Sequence, residues 1–232
     1  MKRTSFASVW NRVTALKNVL IVISFFLFVI SVIPRAPYRQ ASSKQPPTPC
    51  HWTHTPPVID GLADDEGWKS APLITNFRTP WLPSTDTSNP DSRTQAKLLW
   101  DNEYLYVWAK LEDRDFQAYV TERDAQTWLD DCFEVFLKPT ERKKGYYEFH
   151  VTPANTQMDL YIPERHQRAY AIYKSAHDFE FQSAVHLDGS IEPRTDVDTA
   201  WQVEFKIAWK DFWLTGGPVS YTHLTLPTIC SV

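Results

Sequence analysis

A short segment with strict alternation of apolar and polar side chains, placed directly after an acidic pair, most constrains the fold. In this segment Phe133, Val135 and Leu137 point to one side, whereas Glu134 and Phe136 point to the other. Such a strand is typical of a sheet that buries one face in the core and leaves its other face accessible. The carboxylate of Glu134 on the accessible face can form polar contacts.

Similar short segments recur along the chain and are separated by turn signals such as Asp101-Asn102 and Asp188-Gly189. Little helix is expected among them. The predicted strands are 94–100, 103–111, 132–138, 146–152, 158–162, 179–187 and 201–207. This pattern predicts an all-β domain, an antiparallel, jelly-roll-like β-sandwich.

The N-terminal part has the composition of an export signal. Residues 1–18 are basic without acids, which is typical of a cytoplasmic flank, and residues 19–33 form an apolar run that predicts a hydrophobic helix. The run is short for a spanning helix of about 20 residues and long for a signal-peptide core, so cleaved signal and uncleaved signal anchor stay open. Either predicts a periplasmic or extracellular location, with the membrane as a partner if the anchor is retained.

Two other segments are expected to lie outside the folded domain. Residues 34–56 are rich in Pro, Ser and Thr and predict an extended linker. Residues 219–232 show no strand or helix pattern, and 219–228 resemble the translation of a sequencing-library adapter. We therefore expect an artefact after Pro218, and an incomplete domain over residues 57–218.

The charge distribution excludes one class of partner. All 28 acidic residues lie at or after Asp60, with 17 of the 24 basic residues, so this part carries a formal charge of −11. Nucleic acid, which needs a basic surface, is not an expected partner. Asp113 and Asp115 in an acidic loop are candidate calcium ligands. A solvated acidic loop stays the alternative, because no EF-hand spacing is present.

Polar groups around the alternating strand have the chemistry of a sugar site. Trp128 stands at the strand entrance, where the face of its indole can stack on the C–H side of a sugar ring. Glu134 can share one face with Glu148 and His150 of the next predicted strand, where all three can bond hydroxyls. We predict these four as ligand-binding residues; for Trp128, an indole that only caps the core stays the alternative.

Five segments resemble, in matching order, carbohydrate-binding module family 9. They are 58–68, 96–107, 128–136, 146–151 and 201–207. The resemblance implies a β-sandwich module that holds a sugar between two tryptophans, carries structural calcium and accompanies enzymes that degrade xylan or cellulose. It places Trp128 as one of the tryptophans and Glu134 on a sugar-contacting glutamate. His150 departs from the family pattern, which has an arginine there, and the second tryptophan belongs to C-terminal strands that we expect this sequence to lack.

The function favoured by these observations is non-catalytic carbohydrate binding by an exported module. The expected ligands are plant- or algal-type polysaccharides or their ends, in association with carbohydrate breakdown. A glycoside hydrolase is one alternative, with Glu134 and Glu148 as acid and base, because carboxylates on adjacent strands can reach the required separation. A surface or redox-partner module that keeps the sandwich without binding sugar is the other.

Overall fold

A computed structural model describes residues 48–75, 77, 93–140, 142–164, 179–192 and 197–215. All of them belong to one unit, Pro46–Val232. The predicted hydrophobic helix 19–33, most of the predicted linker and the segment 219–232 lie outside these residues. Within the described residues, none of the helices has the length and apolar character needed to cross a membrane.

The larger of two sheets has five strands in the order β1-β2-β3-β8-β7. They are β1 (His51–Trp52), β2 (Gln95–Trp100), β3 (Tyr104–Glu112), β7 (Phe181–Asp188) and β8 (Ala200–Ala208). The pairs β2–β3, β3–β8 and β7–β8 are antiparallel, as predicted, but β1 runs parallel to β2. The prediction of purely antiparallel sheets is therefore wrong at this edge. The predicted linker, residues 34–56, also includes the paired strand β1. Two residues are too few to show an alternation, so the sequence gives no signal for this strand.

The smaller sheet consists of β4 (Phe133–Leu137), β5 (Tyr146–Val151) and β6 (Gln157–Ile162), all antiparallel. Glu134 pairs with His150 and Phe136 pairs with Glu148 across β4 and β5. Since directly paired residues point to the same side, this register alone puts the polar residues of the two strands on one face.

One hydrophobic core is formed by the inner faces of the two sheets. From the smaller sheet it takes Phe133, Val135, Leu137, Tyr147, Phe149 and Val151; from the larger it takes Leu98, Leu105, Val107, Phe181, Val203, Phe205 and Ile207. Phe181 joins the layers, with ring centroids 5.3 Å from Phe149 and 5.4 Å from Phe205 in edge-on arrangements. The all-β architecture of two packed sheets is thus confirmed.

A second, smaller cluster covers the outer face of the larger sheet. It contains Trp68, Ala71, Leu99, Tyr106 and Trp108. Trp68 is fully buried and belongs to a single turn of 3₁₀ helix, Glu66–Ser70. We call residues 58–71 the strap, because this segment lies across the outer face and seals its aromatic residues from water.

Glu204 of β8 holds the strap in place. One carboxylate oxygen accepts from the indole Nε1 of Trp68 at 2.6 Å, and the other accepts from the backbone N–H groups of Asp60 and Gly61 at 3.0 and 3.1 Å. Glu204 points away from the inter-sheet core, as its alternation predicts, yet it is fully buried. Burial raises the pKa of its carboxyl to about 7, although the three donors lower it in part.

Candidate functional site

The polar residues predicted for ligand binding meet on the outer face of the smaller sheet. His150 Nδ1 lies 3.3 Å from Glu134 Oε1, and His150 Nε2 lies 3.6 Å from Glu148 Oε2. One imidazole therefore stands between two carboxylates. The prediction that these three side chains lie within reach of one another on one face is confirmed.

We call Glu134, Glu148 and His150 the polar floor, because these three side chains lie mostly below the surface and do not project from it. The His150 side chain is 2% exposed, whereas the side chains of Glu134 and Glu148 are 11% and 13% exposed. Only the edges of the carboxylates therefore reach the surface. Groups held in this way keep a fixed geometry, and a hydroxyl that reaches them meets acceptors shielded from bulk water.

Trp128 lies in a 3₁₀ turn over Thr127–Leu129 and is 42% exposed, much more than the residues of the polar floor. The turn is joined to the polar floor by the buried residue before it in the chain, since Thr127 Oγ1 lies 3.1 Å from His150 Nδ1. This exposure excludes an indole sealed in the interior, and an indole that only caps the core stays the alternative. The structure thus places an accessible aromatic face on a turn that is bonded to the polar floor.

The acidic pair after Trp128 fixes the loop that carries it. Asp130 accepts from the backbone N–H of Val120 at 2.6 Å, and Asp131 accepts from that of Gln117 at 2.7 Å. A return bond runs from Asp131 N to Gln117 O at 2.9 Å. The two carboxylates therefore clip the turn to the preceding chain segment, which gives Trp128 a defined position.

Two residues at this site have no predicted role. Thr127 carries the contact to His150, and Cys132 Sγ lies 3.4 Å from Glu134 Oε1. Burial, and then the charge of Glu134, raises the pKa of the Cys132 thiol. The period of two places Cys132 on the same face as Glu134, so a sequence signal for it exists. A hydroxyl in an irregular loop, such as that of Thr127, gives none.

The residues predicted to bind calcium lie next to the same loop. The backbone N–H of Asp115 donates to Asp113 Oδ1 at 3.2 Å, and the Asp113 carboxylate lies close enough to Asp131 to raise its pKa. Burial, together with the charges of Asp113 and Asp115, raises the pKa of Asp131 to about 6. Carboxylate oxygens are the donor type that calcium prefers, so Asp113 and Asp115 stay candidate ligands.

Residues 59–222 match the protein family described as carbohydrate family 9 binding domain-like. The match covers most of the chain and confirms the resemblance found in the five sequence segments. It ends inside the segment 219–232 that we expect to be adapter-derived.

Similar curated proteins include xylanases, and this chain spans only a small part of their length. It is 33% identical over 95 residues to endo-1,4-beta-xylanase C of Paenibacillus barcinonensis, which covers 40% of this chain and 8% of that protein. It is 25% identical over 154 residues to endo-1,4-beta-xylanase A of Thermotoga neapolitana, which covers 66% of this chain and 12% of that protein.

Similar solved structures include a carbohydrate binding module family 9 from Caldicellulosiruptor kristjanssonii, in complexes with cellotriose and with glucose. Both are 21% identical to this chain, with TM-scores of 0.43 and 0.45. The similarity covers 68% of this chain and 66% of the cellotriose complex, and 74% of this chain and 72% of the glucose complex.

The geometry contradicts the alternative of a glycoside hydrolase with Glu134 and Glu148 as acid and base. A glycosidic bond must fit between an acid and a base, but here the ring of His150 occupies the space between Glu134 and Glu148. The family match over residues 59–222 agrees with a binding role. The chain belongs to the carbohydrate family 9 binding domain-like family, whose members are non-catalytic carbohydrate-binding modules.

Proposed function

We propose that this module binds carbohydrate on the outer face of its smaller sheet, with Trp128 as the stacking platform and Glu134, Glu148 and His150 as the polar floor. The observation that carries the proposal is the exposed indole on a turn bonded through Thr127 to the polar floor. Stacking and hydroxyl recognition are thereby adjacent.

The two parts contribute differently to binding. An indole face covers the C–H side of a sugar and removes apolar surface from water, with little loss of side-chain freedom. Carboxylate edges accept from hydroxyl groups as charge-assisted hydrogen bonds, which are about twice as strong as neutral ones. Because the polar floor is already packed, few torsions need ordering when a sugar arrives.

Xylan and related plant- or algal-type polysaccharides, or their ends, are the proposed ligands. Support comes from the curated relatives, which are named endo-1,4-beta-xylanases. A module that keeps an enzyme near its polymer would act by raising the local concentration of substrate.

We also propose export to the periplasm or extracellular space, through residues 19–33 as signal peptide or membrane anchor. The basic flank followed by an apolar run supports this. A jelly-roll-like strand order for the complete domain is part of the same proposal, supported by the two packed sheets.

Binding to insoluble xylan and cellulose tests the site. Trp128→Ala should weaken binding at least about 10-fold, because truncation removes the stacking surface. Trp213→Ala is the matched control, since Trp213 is also exposed, at 54%, but lies in the 3₁₀ segment Trp209–Thr215. Depletion assays with the full chain measure both. Unchanged binding in Trp128→Ala, or an equal loss in Trp213→Ala, contradicts the assignment.

Calcium at Asp113, Asp115 and Asp131 is proposed as a structural ion beside the binding loop. An ion present at 100 times its dissociation constant stabilises the native state by about 2.7 kcal/mol. Added CaCl₂ should therefore raise the midpoint of thermal unfolding, and the double variant Asp113→Asn/Asp115→Asn should abolish the rise. Asp64→Asn, at an exposed position of the strap, is the control. A rise that persists in the double variant would place the ion elsewhere.

A further inference from the structure

Three electron-rich atoms converge within the polar floor. Cys132 Sγ, Glu134 Oε1 and a ring nitrogen of His150 all lie within 4.8 Å of one another. The three residues are 1%, 8% and 2% exposed. Thiolate, carboxylate and imidazole are the ligand types that zinc and related borderline divalent ions prefer in proteins.

The neutral ring of His150 can present Nδ1 to an ion. If the ring carries its proton on Nε2, the bare Nδ1 accepts from the Thr127 hydroxyl and also faces the carboxylate of Glu134; if the proton is on Nδ1, the bare Nε2 faces Glu148. Nε2 is buried and has no hydrogen-bond partner among the described residues. A cation bound at Nδ1 takes the place of the Thr127 hydroxyl there, and the Nε2–H points towards Glu148.

Two of the three distances between the ligand atoms fit a tetrahedral ion. With the usual bond lengths to sulfur, nitrogen and oxygen, neighbouring ligand atoms around zinc lie about 3.3–3.6 Å apart. The observed separations are 3.4 Å for Cys132 Sγ to Glu134 Oε1 and 3.3 Å for Glu134 Oε1 to His150 Nδ1. These are two edges of such a coordination shell, already in place.

We propose that Cys132, Glu134 and His150 bind a zinc-type divalent ion, with Glu148 as the positioning residue that accepts from His150 Nε2–H. On binding, the thiol of Cys132 releases its proton to solvent as the metal–sulfur bond forms. Thiolate and carboxylate together balance the two positive charges, so the buried site carries no net charge from the ion and its anionic ligands. A water or a ligand hydroxyl completes the shell. Glu148 acts in the manner of carboxylates that orient metal-bound histidines elsewhere.

Cobalt substitution tests the site directly. Titration of the full chain with Co²⁺ should give a sulfur-to-cobalt charge-transfer band in the near ultraviolet and the intense visible bands of tetrahedral Co²⁺. Zn²⁺ should displace both. Cys132→Ser and His150→Gln should abolish the charge-transfer band, whereas Cys50→Ser, which removes another free thiol, should retain it. Glu148→Gln should keep the band but weaken metal affinity about 10-fold.

X-ray absorption at the zinc edge of the unsubstituted protein covers the case in which a variant fails to fold. One sulfur ligand at the metal–thiolate distance supports the proposal, and a shell of oxygen and nitrogen alone overturns it. Absence of a cobalt band, or its survival in Cys132→Ser, overturns it as well. Xylan binding is measured separately without added cobalt. In the unsubstituted protein, absence of the band together with xylan binding refutes only the metal site, and a band without xylan binding refutes only the proposed carbohydrate function.

Discussion

The carboxylate of Glu204 is the point at which the strap is held on β8. It accepts from Trp68, Asp60 and Gly61, which precede it by 136, 144 and 143 residues. Alternation along β8 predicts the direction of the Glu204 side chain. It cannot predict what covers that side chain, because the cover comes from a distant part of the chain and has no pattern of its own.

Replacement of this carboxylate by an amide should destabilise the fold. In Glu204→Gln one accepting oxygen becomes an N–H₂ group, which meets buried donors and leaves at least one of them unpaired. The expected loss is about 1–3 kcal/mol in the free energy of unfolding, measured by denaturant titration. Glu103→Gln at an exposed position is the control and should change it by less than about 0.5 kcal/mol.

The free energy of unfolding should also depend on pH through the carboxyl group of Glu204. Its pKa in the folded state is about 7, above the 4.5 of an ordinary glutamate, so the folded state binds its proton more tightly than the unfolded state. The stability from this group is complete below pH 4.5 and is lost as pH rises towards 7. The difference in unfolding free energy between wild type and Glu204→Gln should therefore widen as pH falls through this window. A difference that is constant, or that widens with rising pH, contradicts the raised pKa.

Among the structural elements, the strap depends on one tight turn. Gly61 has φ of +96°, and a Cβ there would lie 2.8 Å from the backbone N of His186 and 2.9 Å from the backbone C of Val185. Both contacts are with β7, so the turn is pressed against the sheet. The sequence pair Asp60-Gly61 predicts a turn, but the close approach to β7 becomes visible only in the tertiary structure.

Gly61→Ala should therefore lower the free energy of unfolding by about 1–3 kcal/mol, since both the backbone conformation and the contact distance oppose a side chain. Lys69→Ala in the same strap should have an effect below about 0.5 kcal/mol, because its ion pair with Glu66 is fully exposed to solvent. Thermal and denaturant unfolding measure both. Equal stability of Gly61→Ala and wild type would mean that the strap can move away from β7.

The elements of the candidate site differ in how far the sequence predicts them. β4 and β5 bury one face each, which produces the alternation that places Glu134 and His150 correctly. The loop before β4 has no period, so its anchoring by Asp130 and the bond from Thr127 to His150 cannot be predicted. Site residues on strands can therefore be predicted from the sequence, whereas site residues on loops can be identified only in the structure.

At the scale of the whole molecule, two packed sheets follow from the sequence because each strand has one buried face. The parallel strand β1 and the second aromatic cluster do not follow. β1 is too short for a pattern, and Trp108 lies on the face of β3 that alternation assigns to the outside, although it is buried beneath the strap. Both departures occur where a segment with little regular structure packs on the larger sheet: β1 on its edge and the strap on its outer face.

The bond from the strap to β8 sets an order for folding during synthesis. Residues 58–71 leave the ribosome early, but the carboxylate that holds them is incorporated more than 130 residues later. Until then the indole Nε1–H of Trp68 lacks this acceptor, although the residues of β2 and β3 in its cluster precede β8 in the chain. The strap can therefore reach its final hydrogen-bonded position only after β8 has been synthesised.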